Sequence, residues 1–340
     1  MRKLSIIFLP IFIILCLCSS CITTSNTRAD ERVAVATIHR LNIAIRLSPT
    51  NAGLYSQRAM AYYLLENYEL AIADLNQAIL LDPQNLEYRK NRGNLNFNLD
   101  DFTLAIQDYQ YILEHDADDT NSNYGIALAY YNLSEYEKAL NHLKFLITLN
   151  STLEVSWILR VHLAIGSTYY ELGDYREAIN NFSMVIEIDN VKFEAYFGRG
   201  MSYLETGDFD AAIADLTTAI NINNMSDRAY YGRGLIYRGM KEYNSALNDL
   251  SISIQLNNGN GEYYYVRALL YIELKYFNEA LNDLDNAIGL VKNNANYYSR
   301  RGLVYYELAE QLVEKDEKLK YLEYLELAES DIDMATMLRR

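Results

Sequence analysis

Three cysteines, four histidines and one short acidic run are the side chains with the reach for covalent, metal or proton-transfer chemistry. Cys16, Cys18 and Cys21 all lie within the first 21 residues, so the chain beyond them can form no internal disulfide and offers no thiolate cluster to a metal. His39, His115, His142 and His162 are scattered. His142 and His162 stand on neighbouring segments, but neither lies in a catalytic or ligand motif, and a lone histidine on a helix face is commonly packing. Asp116-Ala117-Asp118-Asp119 reads as a solvated turn and lacks the wider ligand spacing of a calcium loop. No glycine-rich phosphate loop is present. A hydrolase or transferase needs a nucleophile, a base and a stabilising group converging on one pocket. The sequence supplies no such set, so the expectation is a non-enzyme with no catalytic residue, no metal and no cofactor.

The elements that carry these residues follow from composition. Half the residues are hydrophobic and 22% are charged, as in a folded chain. Lys plus Arg number 30 against 45 Asp plus Glu, a net charge of −15. Phosphate backbones and anionic headgroups would repel such a chain, which excludes nucleic acid as an expected partner. Only three Pro and 15 Gly punctuate 340 residues, while 31 Tyr supply large, half-polar side chains suited to interlocking helices. The composition points to an all-α protein.

At the amino end, Arg2 and Lys3 precede the apolar run Leu4 to Leu17, then Ser19, Ser20 and Cys21, the layout of a secretory signal. The run is shorter than the roughly 20 residues needed to span a bilayer. Cys18-Ser19-Ser20-Cys21 resembles a bacterial lipobox, although Cys18 stands where that family usually has Leu. The resemblance implies a signal peptide over 1–20, lipidation of Cys21, a polar tether over 21–29, and residence in a bacterial cell envelope as a lipid-anchored membrane protein. Loss of Arg2 and Lys3 would take the net charge from −15 to −17. An uncleaved short membrane anchor is the alternative. The eight residues from Ile22 to Ala29 would reach at most roughly 27 Å.

Beyond the tether the chain repeats itself. Tyr68, Phe102, Tyr136, Tyr175, Phe209, Tyr243 and Phe277 are each followed three residues later by Ala71, Ala105, Ala139, Ala178, Ala212, Ala246 and Ala280, and every step is 34 residues except one of 39. Each unit holds two apolar-periodic stretches, such as Tyr55 to Leu65 and Tyr68 to Leu81, whose spacings of three and four mark helix faces. Two antiparallel helices per unit is the reading. Ahead of the first unit, Ala34, Ile38, Leu41 and Ile45 share one face of a helix over Asp30 to Ser48, the capping half repeat of a segment 30–51.

The period and its residues resemble the tetratricopeptide repeat, which places a bulky residue, a small residue and Tyr on its first helix and two small residues around a bulky one on its second. Tyr196, Arg199, Gly200, Tyr203, Ala212, Leu216 and Ala219 fit that pattern, as do Tyr55, Ala59, Tyr62, Ala71, Leu75, Ala78 and Pro83. The repeats fall at 52–85, 86–119, 120–153, 159–192, 193–226, 227–260, 261–294 and an expanded 295–340. The opening Trp is missing from every unit and the closing Pro from nearly all; Asn224 and Asn258 stand nearby and can stop a helix through their side chains. The resemblance implies a right-handed superhelical solenoid of helix pairs, about eight units with an N-terminal capping helix, stabilised by stacking in series.

It also implies a function: a protein-protein interaction scaffold whose first helices line a concave groove. In register those positions carry Met60, Tyr63, Lys90, Asn94, Phe97, Tyr124, Leu128, Tyr131, Asn132, Leu163, Tyr170, Phe197, Met201, Tyr231, Leu235, Tyr265, Leu269, Leu303 and Tyr306. Such a trough would take an extended peptide or a partner helix, and Tyr gives it contact area at little entropic cost. Glu87, Glu171, Glu194, Glu205, Glu262, Glu273 and Glu307 flank it, favouring an apolar ligand with some basic residues. Some relatives grip a terminal carboxylate with Lys and Asn; Lys90, Asn94 and Arg160 could contribute, but Gly125 occupies the place of the middle Asn. Assembly of envelope complexes is one setting for the scaffold. The alternative is a self-assembling solenoid forming oligomers through its ends.

Three structural expectations follow. Arg58, Arg92, Arg199, Arg233, Arg267 and Arg301 pair within repeats with Asp74, Asp108, Asp215, Asp249, Asp283 and Asp331, while Ile126 with His142 and Ile165 with Asn181 are exceptions. The excess before 159–192 lengthens its first helix through a capping box of Ser151 and Glu154, with Trp157 either plugging the previous repeat or meeting a partner. The final repeat is a longer hairpin, its extra residues shared equally between helices on either side of a turn at Lys315 to Lys318, acting as a stiff cap or a docking arm.

Overall fold

The computed structural model describes residues 27–149, 153–312 and 317–339, with side chains from residue 31 onward. The signal-like segment, Cys21, Ser151, Val313, Lys315 and Asp316 lie outside the described residues. Those residues form 17 helices and no strand, in two compact units that divide between Leu172 and Gly173.

The first unit holds α1 (Thr27–Leu47), α2 (Ala52–Leu64), α3 (Tyr68–Leu81), α4 (Leu86–Asn98), α5 (Phe102–His115), α6 (Thr120–Asn132), α7 (Tyr136–Thr148) and α8 (Val155–Leu172). Each helix packs on the next, and α4 also touches α6, as α6 touches α8. Helix α1 buries Ala34, Leu41 and Ile45. It begins at Thr27, so three residues that the sequence assigned to the tether belong to the helix. The second unit holds α9 (Tyr175–Ile188), α10 (Phe193–Thr206), α11 (Phe209–Ile222), α12 (Asp227–Gly239), α13 (Tyr243–Leu256), α14 (Gly261–Glu273), α15 (Phe277–Leu290), α16 (Ala295–Glu310) and α17 (Lys318–Leu338). Again each helix packs on the next, and the first helices α10, α12 and α14 touch in sequence.

Small residues permit the close approach. Ala71, Ala105, Ala139, Ala178, Ala212, Ala246 and Ala280 are all 0% exposed. Tyr109 lies between two first helices because a Cβ at Gly93 or Gly125 would stand only 2.9 or 2.8 Å from its ring. Local signals set the helix starts: Asn51, Asn85, Asn260 and Asn294 each accept the backbone N–H two residues on, and Asp119 and Ser226 the one three residues on. The loops after α11 and α13 are closed by Asn223 and Asn257, which accept from Met225 and Gly259. These are the residues before Asn224 and Asn258.

The turns that follow α2, α4, α6, α8, α10, α12 and α14 each use one left-handed residue, at Glu66, Asp100, Ser134, Gly173, Gly207, Lys241 and Lys275. Only two of these are Gly, so five side chains adopt a conformation that L residues avoid.

Two local expectations need correction. Helix α8 has 18 residues, against 13 in α6, but it starts at Val155. Glu154 therefore stands just outside the helix, its carbonyl accepting from Trp157 and Ile158 N–H, and not at the third helical position that a capping box needs. The final hairpin is unequal: α16 has 16 residues and α17 has 21. Leu308 and Leu312 are buried, whereas Leu319 and Leu322 are exposed, because the added turns of α17 run past the length of α16.

Candidate functional site

The expected arginine–aspartate partnerships form in all six repeats that carry both residues. Nε and Nη2 of Arg58, Arg92, Arg199, Arg233, Arg267 and Arg301 donate to the two carboxylate oxygens of Asp74, Asp108, Asp215, Asp249, Asp283 and Asp331 at 2.6–3.0 Å. The third nitrogen, Nη1, reaches the second helix of the preceding repeat, at Asn42, Asn76, Ser183, Thr217, Ser251 and Asp285. The sequence reading missed this acceptor, although a polar residue stands 16 positions before each arginine. Tyrosines three before or four after flank every one of these guanidiniums except that of Arg92, as Tyr230 and Tyr237 do around Arg233 at 5.8 Å. The aspartate's hydrogen bonds hold the Arg58, Arg92, Arg199 and Arg233 guanidiniums above the usual arginine range. These planar forks tie three helices together. They are structural, and they account for many of the tyrosines.

In one of the two repeats lacking the pair, Ile126 is buried and His142 turns to Asn123, with Nδ1 3.1 Å from its Oδ1. Burial holds the His142 imidazole below its ordinary value. Among the described residues no group of acidic, histidine or cysteine side chains is placed to hold a metal.

The first-helix residues singled out from the sequence divide by burial. In the first unit Met60 is exposed, Tyr63, Lys90, Asn94, Phe97, Tyr131 and Asn132 are half-buried, and Tyr124, Leu128, Leu163 and Tyr170 are buried. In the second unit Leu303 is exposed, Leu235, Tyr265, Leu269 and Tyr306 are half-buried, and Phe197, Met201 and Tyr231 are buried. Seven of these side chains are thus core. Tyr124 is 0% exposed under Trp157, with ring centroids 5.5 Å apart, and Met201 fills the space over Gly232, where a Cβ would stand 2.9 Å from its sulfur.

Several half-buried residues are also committed internally. Lys90 Nζ pairs with Asp119 at 3.1 Å, and Asn94 accepts from the Tyr109 hydroxyl at 2.8 Å. Both are drawn away from a carboxylate-gripping role, and Tyr109 occupies the space beside Gly125. Burial alone would raise the Asp119 carboxyl, but hydrogen bonds from Ser122 and Lys90 outweigh it and lower it. Tyr131 reaches Glu171 at 3.5 Å, and Asn132 donates to the Leu128 carbonyl.

The second unit carries a polar ladder along its first helices that the sequence reading did not find. The Tyr263 hydroxyl donates to Asp227 at 2.8 Å and the Tyr297 hydroxyl to Glu262 at 3.1 Å, each reaching back one repeat. Tyr231 meets Tyr263 and Tyr265 meets Tyr297 in tilted ring contacts, with centroids 4.7 and 4.8 Å apart. Arg238 Nε donates to Glu273 at 3.1 Å. Burial raises the Glu262 carboxyl, partly offset by the Tyr297 hydrogen bond.

Comparison with known proteins agrees with this architecture. Tetratricopeptide-repeat family models match residues 52–85 and 261–294, and TPR-repeat models match 166–207 and 200–241. No curated protein matches the chain. A tetratricopeptide repeat protein from Parabacteroides merdae superposes with a TM-score of 0.60 at 17% identity, covering 82% of this chain and 98% of its own. YrrB, described as a TPR protein with an unusual peptide-binding site, gives 0.45 at 19% identity over 59% of this chain and 97% of its own. MamA gives 0.43 at 22% identity over 51% and 97%. Proteins of the repeat family generally mediate protein-protein interactions. With repeat models matching segments in both units and paired helices throughout, the chain carries tetratricopeptide repeats and has the fold of tetratricopeptide-repeat proteins.

Proposed function

We propose that this protein is a non-catalytic binding scaffold, anchored by lipid at Cys21 in a bacterial envelope, whose first-helix face holds an extended peptide or a partner helix. The observation that carries the binding role is the row of Leu235, Tyr265, Leu269, Leu303 and Tyr306. Leu235, Leu269 and Leu303 recur at 34-residue spacing on α12, α14 and α16, Tyr265 and Tyr306 lie on the same first helices, and all five remain partly or fully exposed, although the same kind of side chain is buried elsewhere in the repeats. Partly exposed Tyr and Leu in a periodic row suit a ligand that follows the repeats. The envelope and the lipid anchor rest on the sequence of residues 2–21, and assembly of envelope complexes is the setting that an anchored scaffold fits.

End-to-end self-assembly is the weaker reading. Where α15 carries Leu281 and Ile288 toward the next repeat, α17 carries Glu329 and Thr336, both exposed. Stacking another helix pair on that face would bury Glu329, at a desolvation cost.

Photo-crosslinking residues placed at Leu235 and Leu303 in cells test the binding role, with the exposed loop position Met225 as control. Adducts at the first two sites and none at the third are expected; equal labelling at all three would sink it. Labelling with an alkyne fatty acid tests the anchor: the expected signal is lost in Cys21→Ser, and a signal indifferent to that substitution would rule the anchor out.

A further inference from the structure

Glu262 is a half-buried carboxylate with no cation. Among the described residues it forms no ion pair, its Oε2 takes a hydrogen bond from Tyr297, and no described side chain donates to Oε1. The nearby arginine of the first-helix face, Arg238, is engaged by Glu273. Two tilted tyrosine pairs, Tyr231 with Tyr263 and Tyr265 with Tyr297, stand on either side in sequence.

A half-buried charge without a counter-ion is costly. A cationic donor relieves it: it brings charge to the carboxylate, a hydrogen bond to the unengaged Oε1, and a favourable approach to the electron-rich faces of tyrosine rings. The Lys and Arg side chains also have apolar stems, which Leu269 and Tyr265 can cover. We infer that Glu262 and Tyr265 form a subsite on the second unit for one lysine or arginine side chain of a bound peptide. This rests on the binding role proposed above and names the chemistry recognised at one position of that face. The neighbouring half-buried Leu235 and Leu269 would accept apolar residues of the same peptide.

The test is selection of a displayed random peptide library against the full-length protein, followed by affinity measurement on the selected peptides. A basic residue at one fixed position is expected, and its replacement by norleucine should weaken binding about tenfold, the equivalent of one moderately desolvated ion pair. In Glu262→Gln that tenfold difference should vanish while the apolar positions still bind, and Glu262→Lys should shift the preference at that position to Asp or Glu. The thermal midpoints of the variants report whether they fold. If peptides are selected but lysine and norleucine bind alike, or if the difference persists in Glu262→Gln, the subsite is wrong and the binding role stands. If no peptide is selected, the binding role fails and the subsite with it.

Discussion

Arg233 holds Asp249 through two hydrogen bonds, Nε to Oδ2 at 2.7 Å and Nη2 to Oδ1 at 3.0 Å, and with its remaining nitrogen reaches Thr217 of the preceding repeat at 2.9 Å. The Asp249 side chain is 2% exposed and that of Arg233 is 16% exposed, so this is a nearly dry fork and not a surface pair. Asp249→Ala leaves the guanidinium facing a void, and a loss of about 3 kcal/mol is expected. Arg233→Lys, which keeps the charge but loses the fork, should cost about 1–2 kcal/mol. Urea unfolding with a double-mutant cycle measures both; an Asp249→Ala loss below that of an exposed pair would contradict the three-helix tie.

His142 supplies a pH dependence. Burial depresses its folded-state value below 6.5, so the unfolded chain takes up a proton first as pH falls. Stability contributed by the neutral ring is full above about pH 6.5 and declines as pH drops through that value toward the lower folded one. The difference in stability between the wild type and His142→Gln should therefore change between about pH 7 and 5. Thermal melts across that range check it, and a constant difference would show that His142 charges freely in the folded protein.

The left-handed turn residue offers a matched pair of substitutions. Gly207 has φ of 83° with nothing within 4 Å of an added Cβ, so Gly207→Ala carries only the backbone cost, about 1 kcal/mol. At the equivalent Lys241, with φ of 63°, Lys241→Gly relieves the same strain and loses part of the gain to unfolded-state entropy, leaving up to about 0.5 kcal/mol of stabilisation. Opposite signs in the two melting shifts are the expected result.

Trp157 meets Tyr124 edge-on at 5.5 Å and packs on the cluster of Leu140, Leu143, Leu146 and Val161. It plugs the previous repeat, as the first of the two sequence readings held. Its fluorescence should be blue-shifted and resist acrylamide, and Trp157→Ala should cost about 3 kcal/mol. A red-shifted, readily quenched emission would place it in solvent.

The final hairpin was legible only in part. Its second helix is legible through Arg301, which finds Asp331 across the longer interval of 30 residues. The sequence could not apportion the insertion, because Leu308, Leu312, Leu319 and Leu322 fit helical spacing equally well. Burial of the first two and exposure of the last two follow from which helix runs past its partner.

What the sequence by itself determined is the period and everything tied to it: paired helices, the buried alanines, and six arginine–aspartate forks predicted from residues in register. These survive because a repeat makes one local solution recur, so a residue's partner sits at a fixed offset. Exposure does not obey that rule. Met201 and Leu303 occupy the same register on α10 and α16, yet Met201 is 1% exposed and Leu303 is 45% exposed, since the side chains that the next repeat presents decide how much solvent is left. Gly232 makes room over which Met201 packs. The tyrosine ladder is tertiary for the same reason: Tyr297 finds Glu262 across two first helices, and only the stacking of neighbours brings a hydroxyl on one repeat to a carboxylate on another.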